Sequence, residues 1–154
     1  MSLSHISAEL TRHEAVRDAV SRLASGKSTS LVDFPDAAGP ALTGAVIGAL
    51  DVPTLIVTAR RDRAEYLAVA LAEYLGPDYE VGVWQSPDAL PYEQLPNDLD
   101  AGVRRVQVLH EMRTGEARHR VWITAVSGLL QLIVSPADLD EMTVKLRVGA
   151  RYPV

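Results

Sequence analysis

The chain has 154 residues, 47% of them apolar and 23% charged, and carries a net charge of −5. That length and balance fit one globular domain with a core of its own, and the acidic balance argues against non-specific attraction of the whole domain to DNA, RNA or an anionic membrane. It has no cysteine, which excludes disulfides, thiolate metal sites and cysteine nucleophiles.

The opening stretch MSLSHISAELTRHE has no apolar signal core. The longest weakly polar run, Ala37 to Leu50, is too short and too Gly-rich to span a bilayer. A cytoplasmic location with no membrane partner is therefore expected. From Ser7 to Ala24, Leu10, His13, Val16, Val20 and Leu23 recur at spacings of three and four, which predicts one helix, stopped at Gly26. Gly26-Lys27-Ser28 resembles the end of a phosphate-binding Walker A motif. However, Ser21 stands where that motif needs its first glycine, and the stretch follows a helix instead of a strand. Residues 1–29 read as an N-terminal helix and linker, and 30–154 as an α/β domain.

That domain is organised around Ser30 to Leu50. The pattern predicts a short buried strand at Leu31 and Val32, a loop holding Asp36 and Gly39, and a helix opened by Pro40, whose missing N–H costs nothing there. A strand–loop–helix is where P-loop proteins seat phosphate on loop N–H groups and a lysine. The loop Asp36, Ala38, Gly39, Pro40 has no lysine; the only two lysines are Lys27 and Lys145, and Asp36 would repel a phosphate. The loop reads as a degenerate phosphate loop, with no cofactor expected on this chain.

Downstream, Thr54 to Val57 is a continuous apolar run, as in a strand covered on both faces. Asp62 and Glu65 resemble a capping box opening a helix to Leu75, with Ala64, Leu67, Ala68, Leu71 and Leu75 on one side. Arg60, Arg61 and Arg63 cluster at its start, as a contact for phosphate or an acidic partner, or as a solvated turn. Val81 to Trp84 is a further strand. Gln85 to Asn97, with Pro87, Pro91 and Pro96, is a long connection of the kind that often carries function. Asp98 to Arg113 returns to helix with Leu99, Val103, Val106, Leu109 and Met112 inward. Arg120 to Ala125 is a strand, Val126 to Leu132 a helix, and Ser135-Pro136 with Asp138 starts another. Met142 to Val148 alternates as a last, half-exposed strand. The alternation implies a three-layer α/β fold: a mostly parallel sheet with helices on both faces, P-loop NTPase-like but degenerate. The Gly44-x-x-x-Gly48 spacing is expected to let its helix approach the sheet closely.

Catalytic chemistry is sparse. His5, His13, His110 and His119 have no zinc spacing, and no Gly-x-Ser-x-Gly elbow exists. Asp140-Glu141 mimics a Walker B pair but reads as a helix end, and Glu93, Asp98 and Asp100 are acidic residues around one loop. No residue is assigned a catalytic or metal-binding role.

Val83-Trp84-Gln85-Ser86-Pro87-Asp88-Ala89-Leu90-Pro91-Tyr92-Glu93 resembles the Trp-then-Leu-Pro-Tyr-Glu segment near the N-terminus of bacterial transcription-repair coupling factors (the Mfd family). Arg105, Leu109 and Met112 match an Arg-x-x-x-Leu-x-x-Leu helix, and Thr124 to Gln131 is similar to a Thr-x-x-x-Leu-Leu-Gln stretch. Pro53 to Val57, Ser135-Pro136 and Leu146-Arg147-Val148-Gly149 are also similar to the first domain of the excision-repair helicase UvrB. The resemblance covers about Leu31 to the end. It departs from UvrB in lacking Gly-Lys-Thr near Ala38-Gly39-Pro40 and in having, for UvrB's long aromatic hairpin, the shorter Gln85 to Asn97 connection with Tyr92 its only aromatic. It implies a UvrB-like scaffold, the N-terminal part of a larger ATP- and magnesium-using DNA translocase that displaces stalled RNA polymerase. The implied partners are the remaining domains of the same polypeptide, UvrA (mainly through the domain that follows), and RNA polymerase and DNA through the whole protein. Trp84, Leu90, Pro91, Tyr92, Glu93 and Arg105 are the expected internal or interdomain contact, unless Pro91 and Tyr92 simply fix the fold of their loop. Two rival readings stay open: a small nucleotide-binding enzyme with a divergent phosphate loop, and a UvrB-type DNA-binding fragment.

Overall fold

Three short parallel strands form the centre of the molecule, in an order that is not the order of the chain. They are β1 (Thr54–Thr58), β2 (Glu80–Trp84) and β3 (Arg120–Ala125), arranged β1-β3-β2. The computed structural model describes residues 3–85, 99–114, 119–130, 133–144 and 147–149. Ile123 lies opposite Ile56 on one side and Val83 on the other. The expected α/β class and parallel sheet are present, and the sheet is small.

Seven helices surround the sheet among the described residues: α1 (Ser4–Leu10), α2 (Glu14–Ala24), α3 (Gly39–Leu50), α4 (Arg61–Leu75), α5 (Leu99–Thr114), α6 (Val126–Leu129) and α7 (Pro136–Met142). The stripe expected on α4 is the core: Ala64, Leu67, Leu71 and Leu75 are buried against Ile47 of α3 and against Val121 and Ile123 of β3. Ile56 and Val81 pack on the same cluster. Side chains alternate along a strand, so Trp122, Thr124 and Trp84 belong to the opposite face, where all three are buried.

The single helix expected from Ser7 to Ala24 is two. The chain turns at Thr11 to His13, and His13 is extended at the start of α2. Periodicity ran on across the break, but docking decided it. The Ser7 hydroxyl donates to the Tyr74 carbonyl at 2.9 Å, and the Leu3 N–H donates to Glu73 O at 2.8 Å, fixing α1 on the end of α4. Gly26 does stop α2: with φ at 74° it supports bonds from its own N–H to Leu23 O and from the Lys27 N–H to Arg22 O, the paired bonds of a Schellman end.

Four further expectations are corrected. Leu31 and Val32 form no strand: Val32 is 69% exposed, and Asp33 has φ at 61°, which ends an extended run. β1 is not covered on both faces, since Leu55 and Val57 remain 47% and 45% exposed. On α5, Val103 and Val106 are exposed, while Leu109 and Met112 are half-buried; the side chain of Leu99 lies outside the described residues. Met142 ends α7, Val144 is exposed, and no strand follows among the described residues. α7 starts as expected, with Ser135 Oγ accepting from the Asp138 N–H, and Asp140-Glu141 falls within it. Arg113 ties α5 to α7 through the Pro136 carbonyl and the Asp140 carboxylate. No helix among the described residues is long and apolar enough to cross a membrane.

Candidate functional site

The loop that sequence singles out lies at the start of α3. Pro35 leads into a single 3-10 turn, Asp36–Ala38, and α3 begins at Gly39 with Pro40 buried in its first turn. No side chain caps the helix, and Thr43 donates its hydroxyl back to Gly39 O at 2.8 Å. No strand precedes the turn, so the strand–loop–helix of a phosphate cradle is not formed.

The cation that reaches this loop comes from α4. Arg63 Nη2 bonds Asp36 Oδ1 at 2.9 Å, and a Cβ built on Gly39 would sit 3.7 Å from the same nitrogen. The guanidinium also lies 5.2 Å from the Tyr66 ring centroid, a cation–π arrangement. Its neighbours are matched in the same way: Arg60 grips Asp62 at 2.6 Å, and Arg61 holds Glu65 at 3.0 Å. The hydrogen bond from Arg60, before any other cause, holds the Asp62 carboxyl below its ordinary range. A cleft of about 390 Å³ runs between these groups, lined by Asp36, Arg60, Asp62, Arg63 and Tyr66. Each arginine of the cluster thus has a carboxylate of its own. An incoming phosphate would have to displace Asp36 from Arg63 in an exposed setting, where a single ion pair supplies only about 0–1 kcal/mol.

The capping box expected at Asp62 and Glu65 is not made. The helix starts two residues earlier, Arg60 occupies the cap without a side-chain bond, and both acids turn to arginines. Arginine pairing wins because Asp62 lies inside the first turn, where its oxygen meets the adjacent Arg63 N–H at 3.0 Å.

The second expected contact is at the carboxyl end of β2. Trp84 is 4% exposed, and the Arg105 guanidinium stands 5.2 Å from its ring centroid while Nη1 donates to the Gln85 carbonyl at 3.1 Å. Burial pushes the Arg105 pKa down, though a guanidinium stays charged in any working buffer. The Trp84 carbonyl accepts from the Thr124 hydroxyl at 3.0 Å. The structure thus brings Trp84 and Arg105 together as a clamp of α5 on β2. Leu90, Pro91, Tyr92 and Glu93 lie outside the described residues, as does Asp98. Thr124, fully buried and bonded to the neighbouring strand, joins this site, although the sequence placed it only at the head of a similar stretch and not at this contact. Its one signal is a hydroxyl residue near the end of a strand that is apolar from Val121 to Ile123.

The histidines stay apart from both places. His5 and His13 are exposed, and His119 pairs with Asp51 at 2.9 Å and rests on the Tyr79 ring. No group of three metal-ligating side chains occurs among the described residues. No protein-family model, curated protein or solved structure matches this chain.

Proposed function

We propose that this chain is a non-catalytic scaffold module: the UvrB-like first domain of a bacterial transcription-repair coupling factor. In this reading the chain supports the neighbouring domain that recruits UvrA during transcription-coupled excision repair. ATP and magnesium serve the motor elsewhere in the same polypeptide, which moves on DNA and displaces stalled RNA polymerase. The family assignment rests on the ordered motifs from Pro53 to Gly149. The absence of nucleotide chemistry rests on one observation: the cation at the start of α3 is Arg63, already engaged by Asp36. The same neutralised cluster disfavours the DNA-binding reading, since Arg60, Arg61 and Arg63 present no net positive stripe.

Calorimetric titration with Mg·ATP tests the nucleotide part; no binding is expected up to millimolar concentration, and micromolar affinity overturns it. Strand-specific repair of ultraviolet lesions tests the larger part. Deleting this coding region from the source genome is expected to abolish preferential repair of the transcribed strand, and unchanged preference overturns the assignment.

A further inference from the structure

Residues 3–24 are held to the rest of the chain by contacts of their own, apart from the covalent link. α1 packs on both α3 and α4, and α2 packs on α3. Val16 and Ala19 of α2 are each 1% exposed. At α1, the Leu3 N–H and the Ser7 hydroxyl donate to Glu73 O and Tyr74 O, two carbonyls in the last turn of α4. Carbonyls in that position find no partner within their own helix, so the arm completes the helix on which it sits. The fit is close, since a Cβ on Gly44 of α3 would come 3.2 Å from Ser7 Oγ.

The covalent link is of another kind. Ser25 to Pro35 forms neither helix nor strand, and none of its residues is buried. It opens with Ser25-Gly26-Lys27-Ser28-Thr29-Ser30. Exposed segments of such small and polar residues are where folded chains are most readily nicked. We infer that the face formed by α3 and α4 is a binding site for an amphipathic helix pair, that residues 3–24 are its occupant, and that the bond between Lys27 and Ser28 is a cleavage site whose loss leaves the occupant bound. Hydrolysis there adds one water, leaving a carboxylate on Lys27 and an amine on Ser28. What such a site selects is an apolar stripe on one helix, met here by Val16 and Ala19, together with a hydroxyl and an N–H placed for the last carbonyls of α4. The inference is independent of the repair assignment above.

The sequence has two lysines, Lys27 and Lys145, so Lys145→Arg confines a lysine-specific endoprotease to one position. Treated while folded, this chain is expected to be cut after Lys27. The two pieces are expected to leave a gel-filtration column together at about 10 μM, far below the millimolar effective concentration that a tether supplies. A dye-labelled peptide of residues 1–27 is expected to exchange into the cut protein and to stay out of the uncut one, where the tethered arm outcompetes it. In the cut protein, Ser7→Ala is expected to raise the dissociation constant of the arm about tenfold, because Tyr74 O then loses its donor. Thr11→Ala is the control: its hydroxyl bonds Ala8 O inside the arm, and its removal is expected to change that constant less than about threefold. Resistance of Lys27 in the folded chain, pieces that separate on the column, or a Ser7→Ala arm held as tightly as the Thr11→Ala arm overturns the proposal.

Discussion

The two sides of β1 are made from the same kind of side chain and end in different environments. Ile56 packs into the cluster beneath α4, while its neighbours Leu55 and Val57 keep about half of their surface in water. What separates them is the covering helix and not their hydrophobicity: α4 lays a full stripe on one face, and no described element does so at β1 on the other. The sharpest way to test this asymmetry is Leu71→Ala. Leu71 is fully buried at the centre of the α4 stripe, and emptying such a site costs about 2–5 kcal/mol through lost transfer energy and the cavity left behind. Urea unfolding is expected to show the unfolding free energy lowered by that amount, as a lower midpoint at unchanged slope.

The same contrast recurs one layer out, along a single helix. Gly44 and Gly48 lie one turn apart on α3, but a Cβ on Gly44 would come 3.0 Å from Tyr74 Cβ and 3.2 Å from Ser7 Oγ, whereas one on Gly48 would meet nothing within 4 Å. The glycine that permits close approach therefore admits α1 and α4, not the sheet as the spacing had suggested. Tyr74 Cβ is fixed to its backbone and Ser7 is held by its own bond to Tyr74 O, so neither yields easily. Gly44→Ala is expected to destabilise by about 1–3 kcal/mol through overpacking. Gly48→Ala is expected to stabilise by about 0.5–1 kcal/mol, as an alanine in an open helical position should. Thermal melts of the pair should move in opposite directions; a shift of the same sign would break the assignment of faces.

Sequence reading succeeded where one local force decides. The α4 stripe, the Gly26 stop, Pro40 at the start of α3 and the apolar run of β3 were all legible because each is a property of a few adjacent residues. It failed where a tertiary choice competes with a local one. The Leu10–His13–Val16 periodicity continues through a break that docking of α1 imposes. Leu31-Val32 has strand-like residues but no partner strand among the described residues, and a strand of two residues cannot stand without one. At the candidate site, the missing lysine and the Arg105 helix were legible. The Asp36–Arg63 pair was not, because it joins residues far apart in the chain whose proximity only the packing of α3 on α4 creates.

Smaller effects probe the exposed side. Leu55→Ser is expected to change stability by no more than about 0.5 kcal/mol, as at other surface positions away from special features. A loss comparable to that of Leu71→Ala would mean that the outer face of β1 is covered after all.

The smallest effect is expected at Asp62, and its sign can be worked out. Arg60 depresses the Asp62 carboxyl from its ordinary 3.8 in the folded chain, so the native state favours the ionised form. That contribution is complete above the unfolded value and disappears as pH falls through the depressed folded one. Both partners are exposed, and salt screens such a pair. Asp62→Asn should therefore lower the melting temperature slightly at pH 7 in low salt. The difference should narrow as the pH drops below 4 or as salt is raised, because the natural carboxyl then loses its charge or its field. An Asp62→Asn deficit that persisted in high salt at low pH would show that Asp62 stabilises α4 through something other than its charge, against the pairing with Arg60.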